Sequence, residues 1–131
     1  GYEVEGFLWW EGDKDRYNEA HAVHYEKNLV RLIKTLRGEF KAPNAKFVVA
    51  TLGQTARGAP PGNEKLILDG QLAVDGASGK YPEFRGNVAT VYTHPLSQGG
   101  ASNSHYDGNS QTYMDIGEAI GEAMVGLMKH E

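Results

Sequence analysis

The chain has no cysteine among its 131 residues. Disulfides, a thiolate nucleophile and cysteine-ligated metal centres are thereby excluded, and thiol usage says nothing about the redox compartment. It also lacks a long apolar run. The hydrophobic stretches are far shorter than the roughly 20 residues that span a bilayer, and the segment from Gly1 shows no basic-then-apolar signal pattern. Excess positive charge is missing too. Thirteen Lys and Arg against 17 Asp and Glu give a formal net charge of −4, and no basic patch interleaved with aromatics occurs. These features argue against nucleic acid and membrane partners, since both need clustered cations. Phosphate-binding loops are absent as well: the segment Gly53 to Gly62 contains neither Gly-Lys-Ser/Thr nor Gly-x-Gly-x-x-Gly. No internal repeat or low-complexity tract is present. With 40% apolar residues, residues 1–131 are expected to form a single soluble domain with a modest core.

Val4 to Trp10 is mostly apolar and reads as a buried strand that ends at Glu11-Gly12-Asp13. From Asn18 onward, Tyr25, Leu29, Leu32, Ile33 and Leu36 recur at helical spacing, with Gly38 as the expected C-cap. Lys46 to Gly53 is continuous and β-branched, as a strand covered on both faces requires. A loop with Gly58, Pro60, Pro61 and Gly62 then leads into a helical pattern from Asn63 to about Val74. Gly79 to Arg85 reads as irregular, and Asn87 to Thr93 as a third strand. A polar loop from His94 to Ser110 precedes a last helix striped by Ile116, Ile120, Met124 and Leu127, in which Gly117 and Gly121 thin one side for close packing.

Strands alternating with helices, and no hairpin turn between strands, predict an α/β fold with a three-layer, doubly wound parallel sheet of three strands and three helices. In such sheets the ligand crevice lies outside the C-terminal strand ends. Here that places it among Glu11 to Arg16, Gln54 to Gly62 and His94 to Ser110.

Trp9-Trp10-Glu11-Gly12-Asp13, with the Tyr25-Glu26 to Phe40 helix behind it, resembles the third conserved block of SGNH-type carbohydrate acetylesterases such as the sialate O-acetylesterases. That block reads roughly Trp-Tyr-Gln-Gly-Glu in the family. Asn103-Ser104-His105-Tyr106 before a glycine-rich helix resembles the last block, in which an Asp-x-His or Asp-x-x-His motif supplies the catalytic base. The likeness covers nearly all of this chain but only about the C-terminal half of a family domain, a partial SGNH or flavodoxin-like hydrolase fold. It implies an ester hydrolase acting on acetylated sugars or small esters, without a cofactor, in a periplasmic or secreted setting. His105 would deprotonate the nucleophile and then protonate the leaving alcohol. Glu11, Asp13, Asn103 and Ser104 would complete the catalytic set, and Trp10 and Gly12 at the crevice would help bind the substrate.

Three departures from the family pattern stand out. Glu11 occupies the place of a Gln whose amide donates to the oxyanion, and a carboxylate donates only when protonated. Ser102 and Asn103 stand where the family has the acid that orients the histidine, so neither supplies its charge, and Asp107 is the nearby alternative. The N-terminal Gly-Asp-Ser or Gly-Gln-Ser nucleophile motif has no counterpart. Gly53-Gln54-Thr55 is only superficially similar, and Ser97, Ser102, Ser104 and Ser110 read as loop formers.

Other readings of these residues stay open. His105 could be a solvent-exposed loop histidine, and Glu11 a solvated carboxylate. Gln54 and Arg57 would contact an acyl or sugar group, or be ordinary loop polarity. Trp9, Trp10 and Tyr92 would stack on a sugar face or fill the core. His21 and His24, three apart on the first helix, could bind a transition metal with Glu11, Asp13, His94 or His105, giving a non-catalytic, metal-binding domain as the alternative function. If the family's earlier strands are missing, the first strand exposes an apolar edge, and the chain either self-associates through Val4 to Trp10 or pairs with an N-terminal segment.

Overall fold

The computed structural model describes residues 1–130. Its regular elements run β1 (Gly6–Trp9), α1 (Glu19–Glu39), β2 (Lys46–Ala50), α2 (Asn63–Ala73), β3 (Val88–Val91) and α3 (Ser110–Met128). The strands form one parallel sheet in the order β1-β2-β3, with Phe7 beside Phe47 and Trp9 beside Val49, and Phe47 beside Val88. Side chains alternate across it. Phe47 and Val49 join Tyr25, Leu29 and Ile33 of α1 and Ile67 of α2 in one core, while Val48 and Ala50 join Ile116 and Ile120 of α3 in the other. Both crossovers that link the strands therefore lie on one face and α3 lies on the opposite face, which makes the expected three layers.

Local sequence accounts for these elements. Asn18 caps α1 by accepting the His21 N–H at 3.2 Å, with Glu19 in the first turn, where the helix dipole favours an acid. Gly70 lets α2 approach α1: a Cβ there would stand 3.0 Å from the Glu26 Cβ. At the N-terminal end of the sheet, Arg37 donates through Nε to the Ala45 carbonyl and through Nη2 to Asn87, which ties α1 to the starts of β2 and β3.

Several boundaries differ from expectation. The ladders are shorter than the apolar runs because Thr51, Leu52 and Gly53 stay buried beyond the last paired residue. Gly38 does not cap α1; the helix continues to Glu39, with Phe40 as the cap and Lys41 at φ 51° turning the chain. Gly79 to Arg85 contains a short 3-10 turn, Pro82–Phe84, that buries Phe84. Gly117 and Gly121 do not serve a close contact, since a Cβ at either would meet nothing within 4 Å. The expected open edge is present: Leu8 of β1 is 60% exposed and Met114 of α3 is 70% exposed.

Candidate active site

The strand ends converge through a tight polar lattice. Thr93 donates its hydroxyl to the Thr51 carbonyl at 2.7 Å and its N–H to the Thr51 hydroxyl at 2.9 Å, and the Trp10 indole donates to the same carbonyl at 3.2 Å. Gly53 follows, its N–H donated to the Tyr106 hydroxyl at 3.1 Å and its carbonyl 2.8 Å from His94 Nδ1. Only glycine fits at Gly53, because a Cβ would overlap the Ser97 side chain and come within 2.8 Å of the Tyr106 ring. This packing fixes where the last loop passes over the sheet.

That loop carries His105. His105, Tyr106 and Asp107 all take left-handed backbone angles, with φ of 52°, 54° and 50°. Such angles cost about 1–3 kcal/mol each in non-glycine residues and persist only where surroundings enforce them. Here the buried Tyr106 stacks on Trp10 with ring centroids 5.8 Å apart, and Tyr113 of α3 packs edge-on against both rings. The Tyr113 hydroxyl donates to the His105 carbonyl at 3.2 Å. The imidazole is thus held on an exposed turn above an aromatic floor.

Facing it, the Glu11–Arg16 loop presents Asp13. Oδ1 of Asp13 accepts the Ser102 hydroxyl at 2.5 Å and Arg16 Nε at 2.8 Å, while Arg16 Nη1 reaches Glu64 of α2 at 2.8 Å. Burial pulls the Asp13 carboxyl upward, but the Ser102 and Arg16 hydrogen bonds, with the Arg16 and His105 charges, outweigh it and hold the group below the usual carboxylate range. Two residues earlier, Glu11 goes the other way. Burial first, and then the facing Asp15 carboxyl, push it up to about 7.

These groups line one crevice of about 390 Å³, bounded by Trp10, Glu11, Gly12, Asp13, Lys14, Leu52, Ser102, His105, Tyr106 and Tyr113. A larger hollow, about 550 Å³, lies at the opposite end of the sheet between residues 2–5 and 40–45 and holds no histidine, serine or aspartate. The titratable catalytic candidates singled out from sequence therefore gather at the smaller one, on the side predicted from strand direction.

Of the residues singled out from sequence, His105, Glu11, Asp13, Trp10 and Gly12 meet there. Asn103 and Ser104 do not line the crevice; they occupy the outer side of the turn, where Ser104 donates to the Ala101 carbonyl at 2.9 Å. Gln54 stands just behind it, accepting the Ser102 N–H at 3.3 Å, with its buried Nε2 unpartnered among the described residues. Arg57 is drawn away, its guanidinium 4.7 Å above the Tyr92 ring. Thr55 is buried against Glu64. His21 and His24 are both exposed, and no group of three or more His, Asp or Glu able to hold a metal occurs among the described residues. Sequence reasoning missed Tyr113, Ser102 as the Asp13 partner, and Arg16. Only Arg16 left a usable signal, its position three residues after Asp13.

The model of one family, described as carbohydrate esterase, sialic acid-specific acetylesterase, matches residues 1–126. The chain belongs to that family. No curated protein and no solved structure matches the chain. No helix among the described residues is long and apolar enough to cross a membrane.

Proposed function

We propose that the chain supplies the base half of an SGNH-type esterase that removes acetyl groups from O-acetylated sugars. The observation that carries this reading is that His105 and Asp13, from two different loops, line the same aromatic-floored crevice. In this mechanism His105 takes the proton of a serine hydroxyl as its oxygen attacks the acetyl carbonyl. The imidazolium then gives that proton to the departing sugar oxygen, and in the second half water, deprotonated by the same ring, releases acetate. Asp13 provides the negative charge that Ser102 and Asn103 lack at the family's acid position. Its carboxylate, fixed by Arg16 and Ser102, faces the imidazolium and stabilises it. Trp10, Tyr106 and Tyr113 form an aromatic surface suited to the apolar face of a sugar ring.

Among the described residues, no serine at the crevice has an activating partner. Ser102 donates to Asp13 and not to an imidazole. The nucleophile therefore comes from a segment seated along the β1 edge, either further chain or a second copy, and its arrival would cover Leu8. A periplasmic or secreted setting fits a substrate of this kind. The test is acetate release from an O-acetylated sugar and from p-nitrophenyl acetate, by the 131-residue chain and by the protein as isolated from its source. His105→Ala should cost whichever form turns over about a hundred- to ten-thousand-fold in kcat/KM. Equal turnover by the variant would remove His105 as the base, and no turnover by either form would remove the esterase reading.

A further inference from the structure

A guanidinium beside a carboxylate tends to clasp it with two nitrogens on two oxygens. Arg16 and Asp13 do not meet in that way. Arg16 Nε donates to Oδ1 at 2.8 Å, and the Ser102 hydroxyl donates to the same oxygen, so both bonds fall on Oδ1. Oδ2 accepts no hydrogen bond from the described residues. The terminal nitrogens of Arg16 are engaged elsewhere: Nη1 donates to Glu64 Oε1 at 2.8 Å and Nη2 to the Tyr17 hydroxyl at 2.6 Å, with the guanidinium 4.4 Å from the centre of the Tyr17 ring. The first turn of α2 anchors this arrangement from the far side. Asn63 Nδ2 donates to the Arg16 carbonyl at 3.0 Å, and the buried Thr55 donates its hydroxyl to Glu64 Oε2 at 3.3 Å. Arg16 is thus held at both main chain and side chain, and Glu64 at both of its oxygens.

We propose that Glu64 and Tyr17 are positioning residues: by taking the two terminal nitrogens of Arg16 they restrict it to a one-oxygen contact with Asp13 and leave Oδ2 available to an imidazolium at His105. Without those partners, Arg16 closes on both oxygens. A carboxylate clasped in that way has its charge spent on the guanidinium and offers less of it across the crevice. The charged groups near Asp13 are Arg16 and Glu11 of its own loop and His105 of the loop after β3, whereas Glu64 reaches it through Arg16. The benefit to catalysis rests on the esterase reading above, and the division of the guanidinium does not.

A carbon-13 titration of the Asp13 carboxyl, read beside kcat/KM for acetate release, separates this role from simple bracing. In the double variant Tyr17→Phe, Glu64→Ala the Asp13 midpoint should fall by about half a pH unit further below the ordinary carboxylate range, because Arg16 now grips both oxygens. In the same variant kcat/KM should fall about three- to tenfold, through kcat and not KM. Glu64→Gln, whose amide oxygen still accepts from Nη1, should stay close to native in both measurements. Arg16→Gln sets the opposite sign, raising the Asp13 midpoint because its bond is lost. Should Glu64 and Tyr17 merely brace Arg16, the double variant would raise the midpoint as Arg16→Gln does, and the proposal would be overturned. A lowered midpoint with native kcat/KM would overturn it as well, since Oδ2 would then serve no imidazolium. A lowered midpoint in a protein that releases no acetate in any form would uphold the division of Arg16 and remove only the esterase reading.

Discussion

Leu8 of β1 and Val48 of β2 are register partners on the same face of the sheet, yet Leu8 is 60% exposed and Val48 is fully buried. The difference is not one of side-chain character. Helix α3 lies over β2 and β3 and reaches β1 at Gly6 through Met124, leaving Leu8 uncovered. The interior strand is where this chain is self-sufficient as a fold. The edge strand ends in the Glu11–Arg16 loop and leaves Leu8 uncovered. On the proposed reading stability and function are carried by adjacent strands, and substitutions should separate them.

The largest stability effect belongs to the interior. Phe47→Ala should cost about 3–5 kcal/mol in denaturant unfolding, since the ring is fully buried between α1 and α2. At the strand ends, Tyr106→Phe leaves the buried Gly53 N–H without its acceptor, and about 1–3 kcal/mol should be lost together with order in the His105 turn. Nuclear magnetic resonance of the Gly53 amide would report both. At the edge, Leu8→Lys should change stability by no more than about 0.5 kcal/mol, as for other exposed positions. A loss well above that would mean that Leu8 is already packed and the edge is closed. Where a second copy covers β1, the same variant should abolish association in sedimentation, which would sharpen the contrast.

Much of this was legible in the sequence. The element order, the α1 stripe and two of the three crevice loops were readable because apolar period and Gly/Pro punctuation report burial and chain reversal directly, whereas no residue of the loop from Gln54 to Gly62 lines the crevice. Strand lengths were not, because an apolar run records burial, and Thr51 to Gly53 are buried by the Tyr106 turn after the ladder has ended. The place of His105 at the crevice was readable from its block. The meeting of its loop with that of Asp13 was not: Asp13 and Ser102 lie 89 residues apart, and nothing in local spacing says that these two loops meet. Arg57 and Gln54 look alike as crevice residues in the chain, and the Tyr92 ring alone decides that one leaves. The opposite environments of Glu11 and Asp13, two positions apart, depend on which face of the loop each occupies, and that is set by the Tyr25 and Gln71 bonds to the Glu11 carbonyl.

The central claim is that Asp13, from the end of β1, acts on the reaction through His105, from the loop after β3. A double-mutant cycle on kcat/KM for acetate release tests it most directly. Asp13→Asn should lower kcat/KM about tenfold in the native background, as expected for about 1.4 kcal/mol of lost transition-state stabilisation. In the His105→Ala background it should cost almost nothing. An equal loss in both backgrounds would mean that Asp13 serves substrate or fold independently of the imidazole, and would contradict the account.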